Sequence, residues 1–204
     1  PIPFMGKPRS LKPLFLYLGG INVVKGFHLV VKAALKNRSC NCRIIMAGVD
    51  VAKVPKWCRW SMSSYNAVEK IIHKLPDIGN IKILGWINRK EILNYLRNVW
   101  SLLFHSICYE PLPYAVLEAC MAGRIPIVSM NTGFSELAYG TIIEKFLLRE
   151  NTPSEIANKI EIISSMTRDE VSEIGKKIRE EILVKISPSK LINKFKRIIY
   201  EAIY

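Results

Sequence analysis

The sequence predicts an α/β protein built on a doubly wound parallel sheet, with helices alone at its C-terminal end. Three observations predict it. Short apolar runs recur at near-regular intervals, helical periodicities fill the gaps between them, and after Leu148 the runs stop while the helical pattern continues. Strands buried on both faces read as continuous apolar stretches, and strand–helix alternation at this pitch implies right-handed crossovers and a sheet covered on both sides.

Each element follows in order. Leu14-Phe-Leu-Tyr-Leu18 is the first strand and runs into Gly19. Phe27, Val30, Val31, Ala34 and Leu35, at spacings of three and four, mark one face of a helix. Arg43–Met46 and Ile81–Leu84 are strands leading to Gly48 and Gly85, with a helix expected from Ser63 to Leu75 between them. A helix from Lys90 to Val99, a strand at Ser101–Phe104, a helix at Tyr114–Ala122 and a strand at Ile125–Val128 come next. Thr141–Ile143 is read as the last strand. Asn151-Thr-Pro-Ser-Glu155 then offers helix-start chemistry, with Ile156, Ile160 and Ile163 facing inward. A second helix runs through Val171, Ile174, Ile178 and Ile182, and a third from near Ser187-Pro-Ser through Leu191, Phe195, Ile198 and Ala202. No repeat or linker separates these parts, so residues 1–204 are read as a single domain, an α/β core over 1–150 with a helical extension over 151–204.

Composition narrows the function classes. A chain of 204 residues buries roughly 70% of its unfolded surface, enough for one good core. Half the residues are hydrophobic, and 11 Gly with 11 Pro is ordinary usage, which excludes disordered and collagen-like readings. No apolar stretch approaches the roughly 18–20 residues of a membrane span, and the opening PIPFMGKPRS does not read as a signal peptide. Five scattered cysteines, an odd number with no CxxC, fit reduced thiols in a cytoplasm better than a disulfide framework. His28, His73 and His105 stand apart from one another, so no metal site is expected. The formal net charge of +13 would suit nucleic acid, an anionic membrane surface or a phosphate-bearing ligand. The basic residues are spread along the chain, which favours a generally solvated face over a dedicated nucleic-acid groove; a peripheral membrane contact stays among the partners.

Ligands of open parallel sheets bind beyond the carboxyl ends of the strands. Two segments stand there. The first is Gly19-Gly20-Ile-Asn-Val-Val-Lys25-Gly26, where glycines let backbone approach an anion and Lys25 adds a full charge. It matches neither the dinucleotide fingerprint nor a P-loop, because Val24 and Gly26 stand where a P-loop needs Gly and Ser or Thr, and a plain tight turn stays open for it. The second is Tyr109-Glu110-Pro-Leu-Pro-Tyr-Ala-Val-Leu-Glu118, directly after the Ser101–His105 run. Glu110 lies before the helix and Glu118 about five residues into it, which sets the carboxylates roughly 7–8 Å apart along the axis. That span suits the ribose and the sugar of a nucleotide diphosphate sugar. The alternative is a dipole-favourable charge and a solvent-facing acid, although Glu118 sits among Val116, Leu117, Ala119 and Cys120, where a buried acid needs partners.

The run from Glu110 through Glu118 to Ala-Cys-Met-Ala-Gly-Arg-Ile-Pro-Ile-Val-Ser-Met-Asn-Thr-Gly-Phe-Ser-Glu136 resembles the signature of retaining glycosyltransferases of family 4. Leu16-Tyr-Leu-Gly-Gly with Lys25-Gly26-Phe, Arg43-Ile-Ile-Met-Ala-Gly48, Ile83-Leu-Gly85 and the tail around Phe195–Tyr200 are similar to other parts of that family, in order along nearly the whole chain. The resemblance implies a Rossmann-like half of the two-domain GT-B architecture, the half that binds the donor. It implies Lys25 and Glu110 as catalytic residues, on the diphosphate and the sugar hydroxyls. It implies donor contacts at Gly19 and Gly20, at Glu118 for the ribose, at Leu112, Tyr114 and Ala115 for phosphate or sugar, and at the Gly85-Trp86-Ile87 turn for the base. The chain departs from the family pattern at Gly20, where Arg is usual, at Pro113, where Gly is common, and at Trp100, where Asp is usual. The implied reaction is metal-free transfer from a nucleotide diphosphate sugar, the donor being substrate and no cofactor being needed. A preceding acceptor-binding domain, or a partner chain, is implied as well. His105 reads either as a sugar contact or as a structural strand-end histidine. Two rival readings are a non-catalytic basic module binding nucleotide sugar or polyanion, and a sugar-nucleotide epimerase of the same architecture.

Overall fold

The computed structural model describes residues 2–48, 70–71 and 79–203. These hold a six-stranded, all-parallel sheet in the order β3-β2-β1-β4-β5-β6. The strands are β1 (Leu14–Tyr17), β2 (Arg43–Met46), β3 (Ile81–Ile83), β4 (Ser101–Phe104), β5 (Ile125–Ser129) and β6 (Leu147–Leu148). The apolar runs form the strands for the reason the pattern suggests: Phe15, Leu16, Ile44, Leu102, Ile127 and Val128 are completely buried, as strands covered on both faces require. Register aligns Leu16 with Ile45 on one side and with Leu102 on the other.

Helices α1 (Phe27–Lys36), α2 (Arg89–Asn98), α3 (Tyr114–Ala122) and α4 (Phe134–Ala138) alternate with the strands. Three more follow the sheet: α5 (Pro153–Ser164), α6 (Arg168–Lys185) and α7 (Pro188–Ile203). α5 packs against α1, burying Ile156, Ile160 and Ile163, and the Asn37 side-chain amide donates to Ala157 O at 2.8 Å across that seam. α6 packs against α3 through Val171, Ile178 and Ile182. Arg124, completely buried, links the N-terminal segment to α2 by donating to Gly6 O at 2.8 Å and to Leu96 O at 2.5 Å. Burial lowers its guanidinium to about 10. Trp100 is buried too, and its indole N–H donates to Ser10 O at 3.1 Å.

One expected strand is absent. Thr141 to Ile143 does not extend the sheet: Ile142–Phe146 is a 3-10 helix. Thr141 Oγ1 donates to Ala138 O at 2.6 Å and accepts from Ile143 N at 3.2 Å. A hydroxyl bonding its own backbone in this way diverts the chain from extended geometry, and the edge strand forms only afterwards, at Leu147–Leu148. The helix expected over Ser63–Leu75 lies outside the described residues except for Lys70 and Ile71, which are helical. Among the described residues no helix is long and apolar enough to cross a membrane.

Topology sets the position of a site. The chain runs from β1 outward to β2 and β3, then returns to place β4 on the other side of β1. A crevice opens at the carboxyl ends where strand order reverses. The loops leaving β1 and β4 are those that carry Lys25 and Glu110.

Candidate functional site

The β1–α1 loop is organised by its own backbone. Asn22 Oδ1 accepts from Val24 N at 2.9 Å, Gly26 N donates to Val23 O at 2.9 Å, and the Tyr17 hydroxyl donates to Gly20 O at 3.1 Å. Gly26 closes the loop at φ 75°, where a Cβ would lie 2.4 Å from both the ring and the carbonyl of His105. Only glycine suits that left-handed conformation at such close quarters. Gly20 lies against Gly48, with a Cβ there 3.1 Å from Gly48 O. The ends of β1 and β2 are thereby brought together.

The loop after β4 is clamped onto the first one. Ile107 N donates to Val24 O at 2.7 Å, and His105 Nε2–H donates to Gly26 O at 2.7 Å. A carbonyl can only accept, so this contact places the proton of a neutral imidazole on Nε2. Burial pushes His105 down to about 4, against the smaller upward pull of that hydrogen bond, and its ring tilts over Tyr17 at 5.6 Å. His105 is thus a structural histidine holding two loops in register.

On this scaffold the Lys25 ammonium pairs with the Glu110 carboxylate. Both side chains are half-buried, at 33% and 21% exposure, and the ammonium also stands 5.9 Å over the Phe104 ring. Desolvation lowers the Lys25 pKa, partly offset by the Cys108 thiol nearby. Ser106 Oγ lies 3.4 Å from Glu110 Oε1, and Glu110 O accepts from Gly133 N at 2.8 Å, fixing the segment to the loop after β5.

The second carboxylate is elsewhere. Glu118 lines a cavity of about 320 Å³ with Leu18, Ala47, Gly48, Trp86, Ile87, Asn88, Arg89 and Ile92. Its Oε1 meets Arg89 Nη2 at 2.6 Å, which supplies the partner that an acid among apolar neighbours needs. Trp86 stands almost wholly exposed at the rim. Between the two acids lies the N-terminus of α3, where Pro113 offers no side-chain cap. Its first N–H groups, on Tyr114 and Ala115, are those a helix leaves without intrahelical partners.

The structure therefore brings Glu118, Trp86 and Ile87 into one cavity and pairs Lys25 with Glu110 outside it. Gly85 reaches the cavity only through Gly48, whose N–H donates to its carbonyl at 2.9 Å, and Gly20 only by its contact with Gly48. Gly19, Leu112, Tyr114 and Ala115 do not line the cavity; Leu112 and Tyr114 are exposed. Sequence reasoning missed Arg89, Asn22 and Ser106. Arg89 had a readable signal, a cation in the first turn of a helix. Among the described residues no three His, Cys, Asp or Glu side chains converge as a metal site would need, and the described cysteines are all free.

A parallel 3-2-1-4-5-6 sheet with its crevice between the first and fourth strands, closed by C-terminal helices, is the Rossmann-like half of a GT-B glycosyltransferase fold. The profile of the family described as "Glycosyl transferases group 1" matches residues 4–181. The chain belongs to that family. Solved structures share the fold. A glycosyltransferase from Rickettsia africae superposes with a TM-score of 0.70 at 22% identity, covering 94% of this chain and 48% of that one. Anabaena Alr3699/HepE, solved with UDP and glucose, gives 0.69 at 16% identity over 93% of this chain and 48% of that one. The C-terminal domain of a Francisella tularensis glycosyl transferase group 1 protein, LpcC, gives 0.65 at 16% identity over 87% and 88% of the two chains. This chain thus spans about half the length of the Rickettsia and Anabaena proteins. None of the curated proteins matches it in sequence.

Proposed function

We propose that this chain is the donor-binding half of a retaining glycosyltransferase of family 4, residues 1–204 forming one nucleotide-sugar-binding domain with an α/β core over 1–150 and a helical extension over 151–204. The observation that carries the reading is the placement of two carboxylates, each with its own cation, on either side of an uncapped helix N-terminus at the switch point of the sheet. The diphosphate of the donor lies over the Tyr114 and Ala115 N–H groups, where the helix dipole favours negative charge. Glu118 accepts hydrogen bonds from the ribose hydroxyls, and the base faces the Gly85-Trp86-Ile87 turn. Glu110 takes the sugar hydroxyls.

Transfer breaks the bond between the anomeric carbon and the β-phosphate oxygen, the electron pair leaving with the diphosphate, while an acceptor hydroxyl bonds to the anomeric carbon on the same face and passes its proton to the departing phosphate oxygen. Lys25, with Gly19 and Gly20 giving the backbone close approach, meets that developing charge without a metal. Leu112 belongs to the same wall. The acceptor is held by a second half, in a preceding domain or a partner chain, as the twofold length of the similar structures suggests. A cytoplasmic location accords with the free cysteines. Peripheral membrane contact accords with α7, where Phe195, Ile198 and Ile203 are exposed beside Lys196 and Arg197.

A titration with uridine, guanosine and adenosine diphosphate sugars tests the reading. One of them binds, and Glu118→Ala weakens it by about 10- to 100-fold, the worth of hydrogen bonds to a charged group. No binding by the native chain, or binding indifferent to Glu118, overturns it. Polyanion binding that falls by orders of magnitude between about 50 and 200 mM salt would favour a basic binding module in its place.

A further inference from the structure

Arg89 stands where a cation is locally unfavourable. It is the first residue of α2, immediately after the N-cap Asn88, at the end of a helix that carries partial positive charge. The Glu91 carboxylate of that first turn is turned back onto Asn88 N at 2.7 Å and is not the guanidinium's ion-pair partner. The Arg89 side chain is 71% exposed, so little packing holds it there. What it does hold is Glu118, at 2.6 Å across the cavity.

Count the charge of the site with and without it. Lys25 balances Glu110 and Arg89 balances Glu118, so the empty site is neutral. Without Arg89 it carries one negative charge, placed where a doubly negative diphosphate must come. Glu118 is four positions beyond Tyr114, about 6 Å along the axis from the start of α3. A unit charge about 7 Å from another, at an effective dielectric between 20 and 80, changes an equilibrium by roughly 3- to 50-fold. Exposure and salt place each unit charge of the diphosphate toward the lower end, and its two charges together make the effect about 10-fold.

We infer that Arg89 is a positioning residue for the donor: it neutralises Glu118, and so offsets that carboxylate's repulsion of the diphosphate when the nucleotide enters. The consequence is selectivity by ligand charge. Nucleosides, which bring no phosphate, gain nothing from Arg89, whereas nucleoside diphosphates depend on it. The inference rests on the donor-binding reading above.

The test is a charge series, Arg89→Lys, Arg89→Gln and Arg89→Glu, titrated against uridine, guanosine and adenosine mono- and diphosphates with the unphosphorylated nucleosides beside them. For whichever diphosphate the native chain binds, Lys keeps the affinity within about 3-fold, Gln loses about 10-fold and Glu about 10-fold more. The loss is smaller for the monophosphate and under about 2-fold for the nucleoside. Lys7→Gln, which removes one positive charge at the distant Lys7–Asp169 pair, changes none of these. Equal losses for Gln and Glu, or equal losses for nucleoside and diphosphate, would mean a merely structural role and overturn the inference. A series that leaves every affinity unchanged overturns it too, while the donor-binding reading survives. Failure of the native chain to bind any of the nucleotides overturns both.

Discussion

The two acid–cation pairs flanking α3 have the same chemistry and opposite construction. Lys25–Glu110 is sunk into three interlocked loops. The His105 ring, the Gly26 carbonyl and the Val24 carbonyl tie the β1 and β4 loops together, and Gly133 N fixes Glu110 to the loop after β5. Arg89–Glu118 joins a long, exposed side chain on one helix to a half-buried acid on another, at the lining of an open cavity. Like pairs thus differ in what must move for a ligand to enter. At the Lys25 end only the ammonium can shift, because the backbone around it is over-determined. At the Arg89 end a whole side chain can swing into water at little cost.

The sharpest way to break that contrast is to add one carbon to each end. Gly26→Ala puts a Cβ against His105 at 2.4 Å in a left-handed backbone. It is expected to destabilise the fold by about 2–4 kcal/mol and to abolish nucleotide binding. At Gly85 a Cβ meets nothing within 4 Å, so Gly85→Ala is expected to stay within about 0.5 kcal/mol of the native chain. Urea denaturation of the two variants decides. If they unfold alike, the loops at the Lys25 end are not the rigid part.

Acid should find the same end first. His105 is buried neutral, at about 4 rather than its ordinary value of 6.5, chiefly through desolvation. His28 is lowered as well, by burial and then by Lys32. Between about pH 6.5 and 4 the unfolded chain binds a proton at His105 and the folded chain does not, so stability falls as the pH falls through that window, and His28 contributes in the same direction. His105 alone contributes at most about 3 kcal/mol to the loss. In His105→Gln, whose side-chain amide can still donate to the Gly26 carbonyl, melting temperature should depend less steeply on pH across it. Identical slopes would show that the histidine does not set the acid stability of this end.

How far the sequence foretold these differences depends on how local their causes are. β1, β2, β4 and β5 could be read because each is a mainly apolar run buried whatever packs around it, and β3, with Lys82 exposed, by its place before Gly85. Thr141–Ile143 misled because a threonine hydroxyl bonding its own turn leaves the same letters as a strand. α7 has the periodicity of α6, yet Phe195, Ile198 and Ile203 are exposed while Val171, Ile178 and Ile182 are buried. Periodicity tells which side of a helix is apolar and is silent on what covers it. Glu118 was legible as an acid in odd company, and Glu110 by its place on the loop before a helix. Arg89 was legible only as a cation in the first turn of a helix, because its meaning lies in a partner on a helix two elements further along the chain.

The smallest effect tests whether the mobile end needs its own support. Asn88 caps α2, accepting from Glu91 N at 3.0 Å while Glu91 returns the bond, and Arg89 follows directly. Asn88→Ala should cost about 1 kcal/mol of stability, the ordinary worth of a cap. Its effect on nucleotide affinity should be larger than that of a cap elsewhere, because fraying of the first turn releases the residue that holds Glu118. Thr167→Ala removes an equivalent capping box at the start of α6, away from the cavity. The two variants should melt at similar temperatures, with binding weakened about 2- to 3-fold in Asn88→Ala alone, the effect of a few tenths of a kcal/mol passed on to the ion pair. Equal affinities would mean that Arg89 finds Glu118 from a frayed helix as readily as from a capped one, and that the contrast between the two ends lies in burial rather than in backbone order.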